Sequence, residues 1–77
     1  MKEMIIDFSQ YPNVEAFHED IAEKLNFPAY YGKNLDALHD MMGELPEDAY
    51  AFTIFYGGTG ISHKQQVTIA KILLRKA

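Results

Sequence analysis

The 77-residue sequence predicts a single α/β domain built on a small parallel β-sheet that is flanked by helices. Two short segments, residues 4–8 and 50–56, are rich in apolar, β-branched and aromatic residues, as buried strands are. Segments with the apolar spacing of helices separate and follow them, so the order is strand, helix, helix, strand, helix. Strands joined by helices usually pair in parallel through a right-handed crossover, and this rule predicts the sheet.

The first strand is MIIDF, residues 4–8, and the sequence YPN that follows ends it. Asn13 is a good N-cap for the helix that comes next. The apolar residues of this helix recur at intervals of three and four, which makes one stripe that faces a core: Val14, Phe17, Ile21 and Leu25. Asn26 and Pro28 are expected to end the helix.

A second, shorter helix follows the loop that contains two adjacent tyrosines. Asn34 is expected to cap its start, and Gly43 and Pro46 to close its end. The residues expected to face the core are Leu35, Leu38 and Met42. The opposite side of this helix is the part of the chain that most invites a functional interpretation.

The second strand is YAFTIFY, residues 50–56, and GGTG after it predicts a flexible turn. Ser62 with Gln65 forms a capping-box pattern for the last helix, whose apolar content runs through Leu74. Two parallel strands alone make a thin sheet, and no helix stop signal follows the last apolar residues. We therefore expect a third strand beyond residue 77.

The composition argues against several classes of protein. There is no cysteine, so a disulfide framework or a thiolate metal site is not possible. No apolar run approaches the roughly 20 residues of a membrane span, and no signal peptide opens the sequence, so we expect a cytoplasmic protein with no membrane partner. His18, His39 and His63 lack metal-ligand spacing, and neither a metal nor another cofactor is expected.

The charge of −4 is distributed unevenly. All 11 acidic residues lie within residues 1–48, where three lysines leave a net charge of −8, whereas residues 49–77 hold four basic residues and no acid. An acidic surface repels nucleic acid phosphate and attracts basic partners. We therefore expect a protein partner and no direct binding of nucleic acid.

The second helix is expected to place four residues on the side away from the core. Asp36, His39, Asp40 and Gly43 follow the spacing i, i+3, i+4, i+7 and share one face. Two aspartates four residues apart repel each other by a few tenths of a kcal/mol, which a helix selected only for stability would avoid. A structural interpretation stays open, in which one aspartate serves the helix dipole and the other is an ordinary solvated acid.

The segment FPAYYGKNLDALHD, residues 27–40, closely resembles a segment of the barstar family, whose members inhibit the ribonuclease barnase inside the cell. The family segment reads Pro, Tyr, Tyr, Gly, Asn, Leu, Asp, Ala, Leu, Asp. A looser resemblance extends over the whole chain and includes the order of its elements. The resemblance implies a three-stranded parallel sheet flanked by helices, in agreement with the fold predicted above.

The resemblance also implies a function, which is to block the active site of a basic, extracellular-type ribonuclease. Such an enzyme must bind RNA phosphate, and carboxylates on a rigid helix can occupy its basic groups. By motif position, Tyr30, Asp36 and Asp40 match the family's contact residues, and Asp40 matches the acid that enters the phosphate pocket. Gly43 is carried over across a one-residue gap, and His39 stands where the family has a tryptophan. Of the two tyrosines, we expect Tyr31 to belong to the core.

A second departure from the family concerns Lys76, which aligns with a contact acid on the last helix. A lysine there would repel a basic enzyme, so the target differs from barnase, the alignment slips, or the binding is weaker.

The alternative function is a barstar-like interaction or regulatory module that inhibits no ribonuclease. We do not expect an enzyme, because the convex helix that carries Asp36, His39 and Asp40 offers no enclosed cleft. The unbound protein is expected to be a monomer.

Overall fold

The computed structural model describes residues 2–46 and 48–74, and these contain the predicted order of elements. The two strands and three helices are β1 (Lys2–Asp7), α1 (Val14–Lys24), α2 (Leu35–Gly43), β2 (Tyr50–Phe55) and α3 (His63–Leu74), with a short 3-10 turn at Phe8–Gln10. The position of Lys76 lies outside the described residues. The third strand, expected beyond residue 77, stays a prediction.

β1 and β2 are hydrogen-bonded neighbours in a parallel sheet, as the crossover rule predicts. Met4 is paired with Phe52 and Ile6 with Ile54. Met4 and Ile6 are buried, whereas Ile5 between them is exposed, because successive side chains of a strand point to opposite faces. One face of β1 therefore packs into the core, and the other face is exposed among the described residues.

Both strands are shorter at their carboxyl ends than the sequence predicts. Phe8 leaves β1 because the side chain of Asp7 accepts hydrogen bonds from the N–H of Ser9 at 3.0 Å and from its hydroxyl at 2.6 Å, which turns the chain into the 3-10 segment. Phe8 is nevertheless fully buried. Tyr56 follows the last residue of β2, and its ring lies 6.1 Å from that of Phe8.

The core lies between the inner face of the sheet and the three helices. Its largest fully buried apolar side chains come from β1, the 3-10 turn, α1, α2, the loop before α3, and α3: Ile6, Phe8, Phe17, Ile21, Leu38, Ile61 and Ile69. Leu38 and Met42 are the buried side chains of α2, whereas Leu35 is only partly buried. Fully burying a side chain of this kind is worth roughly 1.5–3 kcal/mol, so this cluster supplies most of the driving force for folding.

The helix starts follow the sequence closely. Asn13 and Asn34 accept hydrogen bonds from the N–H groups of Ala16 and Ala37 at 2.8 and 2.7 Å, as N-caps do. The end of α2 differs from the prediction, because Gly43 is the last helical residue rather than the residue that stops the helix. The C-cap is the next residue, Glu44, which keeps a right-handed conformation.

The GGTG turn, expected to be flexible, packs closely against the segment that follows β1. A methyl group at Gly60 would overlap the carbonyl of Tyr11, and one at Gly58 would lie 2.8 Å from the Cα of Ser9. Gly58 also has φ +76°, which favours glycine. These two glycines therefore permit a close approach of two backbone segments. Within residues 2–46 and 48–74, no helix is long and apolar enough to cross a membrane.

Candidate functional site

The α2 helix has one buried and one exposed side, and the exposed side carries the residues predicted from the sequence. Leu38 and Met42 are buried. The four predicted residues Asp36, His39, Asp40 and Gly43 are all exposed. Because these four share one side by helical spacing, we refer to them together as the acidic face.

The two tyrosines before α2 have opposite environments. Tyr31 is buried with 7% exposure, which confirms the prediction that it belongs to the core, whereas Tyr30 is 79% exposed. An aromatic ring held in water gains nothing from burial within its own chain, but it can fill a partner's pocket and still donate a hydrogen bond. Tyr30 lies four residues before the cap of α2 and precedes the acidic face along the chain.

The carboxylates of the acidic face have no cationic partner among the described residues. The ion pairs found there join Lys24 to Asp20 at 3.0 Å and Lys33 to Glu19 at 3.4 Å, so they do not involve Asp36 or Asp40. Both aspartates are therefore available to a basic partner. Because residues four apart on a helix are about 5–6 Å apart at Cβ, a partner can meet both charges at once.

The placement of the acids is only partly explained by helix stability. Asp36 lies in the first turn of α2, where the helix dipole favours a negative charge. Asp40 and the C-cap Glu44 lie toward the carboxyl end, where it disfavours one, and no basic residue occupies the last turn. The helix dipole therefore accounts for Asp36 and does not account for Asp40.

Two exposed charged residues beside this face went unassigned in the sequence analysis. Glu44 is exposed four residues after Asp40 and continues the series of acids at positions 36, 40 and 44, a spacing that could have revealed it. Lys33 precedes the helix cap in a left-handed conformation with φ 54°, and its ammonium group contacts Glu19. The face is thus acidic along the helix and has one cation near its start.

The loop before α2 is joined to α1 by a buried polar contact. The Nδ1 atom of His18 lies 2.7 Å from the Oη atom of Tyr31, and the ring of Phe27 packs 4.9 Å from the ring of Tyr31. Burial lowers the pKa of His18 from its ordinary value and raises the pKa of Tyr31 to about 12, so both side chains are uncharged at neutral pH.

The role of His18 was missed, although its position carried a signal. Val14, His18, Ile21 and Leu25 are separated by four, three and four residues, which is the spacing of the buried stripe of α1. A histidine on such a stripe must find a hydrogen-bond partner, because a buried polar atom without one costs about 1–3 kcal/mol.

The chemistry available at this site is that of a binding surface. In the described part of the chain, no group of three or more histidine, aspartate and glutamate side chains could hold a metal ion. A shallow open groove of about 340 Å³ lies beside the start of α2, and its lining includes Val14, Leu35, Asp36 and Gln65. Exposed carboxylates and an exposed phenol can pair with cationic and hydrogen-bonding groups of a partner.

Comparison with known proteins supports the barstar-like fold that the sequence resemblance predicts. A family model described as "Barstar (barnase inhibitor)" matches residues 1–75. A protein of Bacillus subtilis (strain 168) named "Putative ribonuclease inhibitor YrdF" is 50% identical over 42 residues, which are 54% of this chain and 46% of that protein. The aligned stretch thus spans about half of that relative, and no solved structure matches the chain significantly. Because the family model covers almost the whole chain, this chain belongs to the barstar family.

Proposed function

We propose that this protein binds a barnase-type ribonuclease and blocks its active site with the acidic face. The observation that carries the proposal is the pair Asp36 and Asp40, which lie on one exposed helix side with no described cation as partner. The family is that of a barnase inhibitor, and the Bacillus relative is named as a ribonuclease inhibitor. Both descriptions are of an inhibitor rather than an enzyme.

The mechanism follows from the chemistry of the target. An enzyme that cleaves RNA must hold a phosphate, so its active site concentrates arginine, lysine and histidine. Carboxylates from Asp36 and Asp40 can form charge-assisted hydrogen bonds with such groups and take the place of the phosphate. The opposite charges of the two surfaces also steer the proteins together before contact.

The residues have different parts in this proposal. Asp40, near the middle of the face, enters the phosphate pocket, and Asp36 supports it one turn earlier. Tyr30 packs its exposed ring against the enzyme beside them. His39 and Gly43 lie on the same helix side and complete the contact. The inhibitor acts as a monomer in the cytoplasm and protects it from a basic enzyme that works outside the cell.

A second candidate is an interaction module of the barstar family that regulates a partner other than a ribonuclease. Two departures from the family motif favour it. His39 replaces the family's tryptophan, and Lys76, outside the described residues, replaces an acid that the resemblance places at the contact. A protein whose acidic face is retained but whose surrounding contacts differ could have exchanged its partner.

The test is inhibition of purified barnase, measured as cleavage of RNA at increasing ratios of this protein to enzyme. We expect cleavage to stop near one inhibitor per enzyme and to resume with Asp40→Asn, which keeps the side-chain shape and removes the charge. Glu3→Gln removes an equal charge from an exposed position of β1 and should inhibit like the unaltered protein. If neither barnase nor another guanyl-type ribonuclease is inhibited, the second candidate is favoured.

A further inference from the structure

We infer that His18 is a positioning residue for partner binding, because its buried hydrogen bond to Tyr31 fixes the loop that presents Tyr30. The binding part of this inference rests on the proposed function of Tyr30. The part that concerns the order of the loop stands on the structure of the free protein. The loop in question is the segment 26–33, between the end of α1 and the cap of α2.

The other hydrogen bonds of this loop are local or exposed. The N–H of Phe27 donates to the carbonyl of Ala22 in the last turn of α1 at 2.8 Å, and the N–H of Tyr31 donates to the carbonyl of Pro28 at 3.0 Å. The side chain of Asn34 donates to the carbonyl of Gly32 at 3.3 Å, so these bonds bridge five residues at most. The contact of Lys33 with Glu19 reaches α1, but it is long and exposed to solvent. A bond of that kind restrains a loop only weakly.

The contact between His18 and Tyr31 is neither local nor exposed. It joins residues 13 positions apart, and both residues are buried, with 2% and 7% exposure. The ring of Tyr31 also packs near two other rings, that of His18 at 5.8 Å and that of Phe27 at 4.9 Å. Among the described residues this is the buried side-chain hydrogen bond that joins the loop to the helix behind it.

The consequence for Tyr30 follows from its position in the chain. Tyr30 is bonded directly to Tyr31, so the restraint on Tyr31 limits the directions in which the exposed ring of Tyr30 can point. A ring that is already oriented loses less conformational freedom when it binds a partner. Loss of the hydrogen bond should therefore release the loop first and weaken binding as a result.

The first measurement needs no partner. Amide hydrogen exchange is followed by NMR at the N–H of Tyr31 and, as an internal reference at the C-cap of α1, at the N–H of Leu25, which donates to the carbonyl of Ile21 at 2.9 Å. Tyr31→Phe removes only the hydroxyl, and His18→Leu removes the ring nitrogen. Both should accelerate exchange at residue 31 at least tenfold relative to Leu25.

Two further variants separate positioning from general stability. His18→Asn places an amide close to the position of Nδ1 and should restore slow exchange at Tyr31. Tyr11→Phe removes another tyrosine hydroxyl that contacts α1, since Tyr11 donates to Asp20 at 2.5 Å, and should leave the ratio of the two exchange rates unchanged. If Tyr31→Phe changes the ratio no more than Tyr11→Phe does, the inference is wrong.

The second measurement uses barnase as the probe. We expect Tyr31→Phe to weaken binding about tenfold, and the loss to vanish in a Tyr30→Ala background, because Tyr31 acts through its neighbour. Faster loop exchange with unchanged affinity would contradict the positioning role. Absence of barnase binding by the unaltered protein would contradict the proposed function instead, and the exchange ratio would still decide whether His18 orders the loop.

Discussion

The side chain of Gln66 hydrogen-bonds both backbone groups of Gly57. Its Oε1 atom accepts from the N–H of Gly57 at 3.0 Å, and its Nε2 atom donates to the Gly57 carbonyl at 2.9 Å. Nε2 also donates to the carbonyl of Ile61 at 2.9 Å, and the residue is only 2% exposed. One buried amide from α3 thus satisfies three backbone groups of the loop after β2.

Replacing this amide should destabilise the fold. Gln66→Met keeps nearly the same volume and removes the partner of the buried Ile61 carbonyl and of the two partly buried groups of Gly57. A buried group left without a partner costs about 1–3 kcal/mol, and a partly buried one costs less because water can reach it. We expect the free energy of unfolding in urea to fall by about 2–4 kcal/mol. Gln65→Met changes the exposed neighbour and should stay within about 0.5 kcal/mol of the unaltered protein. Equal effects of the two substitutions would show that Gln66 does not hold the loop.

Two glycines should respond in opposite directions to the same added methyl group. Gly60→Ala brings the methyl group onto the backbone of Tyr11 and Pro12, so we expect a loss of about 1–3 kcal/mol in unfolding free energy. Gly43 has no neighbour within 4 Å of an added Cβ and is helical, so Gly43→Ala should stabilise by roughly 0.5–1 kcal/mol. Thermal unfolding of both variants gives the comparison, and a stable Gly60→Ala protein would contradict the close approach.

Asp40→Ala should separate binding from folding. If Asp40 enters a basic pocket, its loss leaves enzyme cations buried and unpaired, at a cost on the order of 2–5 kcal/mol of binding free energy, a scale for which the barnase–barstar complex of this same family is one source. Its exposed position predicts a change in unfolding free energy within about 0.5 kcal/mol.

Asp36→Ala is the matched comparison on the same face. It should cost less affinity and about 0.3–1 kcal/mol of stability, because Asp36 also interacts favourably with the helix dipole. Affinity for barnase and urea unfolding are measured for both variants. Unaltered affinity of Asp40→Ala would identify Asp40 as a solvated surface acid.

Association with a basic ribonuclease should depend strongly on salt. Asp36 and Asp40 form no ion pair with a described residue. The negative electrostatic potential of the acidic face therefore extends into the solvent and steers a cationic partner toward it. Salt screens this attraction, with a Debye length of about 10 Å at 0.1 M and about 3 Å at 1 M. Stopped-flow mixing should therefore show an association rate that falls steeply between low and high ionic strength. A rate that does not change with salt would indicate an apolar interface and argue against phosphate mimicry.

Folding stability should fall as the pH drops below the ordinary pKa of histidine because of His18. Burial lowers the folded-state pKa of His18 below 6.5, so the unfolded chain takes up the proton first. This contribution to stability is complete above pH 6.5 and is lost progressively as the pH falls toward the folded-state pKa. Lys33 and Asp36 are charged residues that line the same groove as His18. The pH dependence of the unaltered protein must therefore be compared with that of a His18 variant in which both are still present.

The measurement is urea unfolding at several pH values between 7.5 and 5. We expect His18→Asn to show a smaller loss of stability across this range than the unaltered protein, because Asn does not titrate. His39→Asn, at an exposed histidine on the acidic face, serves as the control and should follow the unaltered protein. If the stability of His18→Asn falls more steeply with decreasing pH than that of the unaltered protein, the prediction is wrong.

Much of the candidate site was predictable because it rests on helical spacing. The exposure of Asp36, His39, Asp40 and Gly43 follows from the buried positions of Leu38 and Met42 on the same helix. Glu44 belongs to the same pattern and could have been included. The burial of the adjacent tyrosines was harder to predict, because loop residues do not alternate between buried and exposed positions at a regular spacing. The contacts of Tyr31 decide that it is buried and that Tyr30 is not.

The sequence by itself determined the order of elements, the caps Asn13 and Asn34, the parallel pairing of two strands and the two-sided character of α2. These features depend on interactions within a turn or on chain handedness, so spacing along the chain is enough to predict them.

Only the tertiary structure decided the contacts between distant segments, which are the pair His18 and Tyr31, the amide of Gln66 on its loop, and the backbone approach at Gly60. His18 and Tyr31 are 13 residues apart in the sequence, and Gln66 lies nine residues from Gly57 and five from Ile61. A local pattern does not specify which buried group meets which, because packing of whole elements brings them within hydrogen-bond distance.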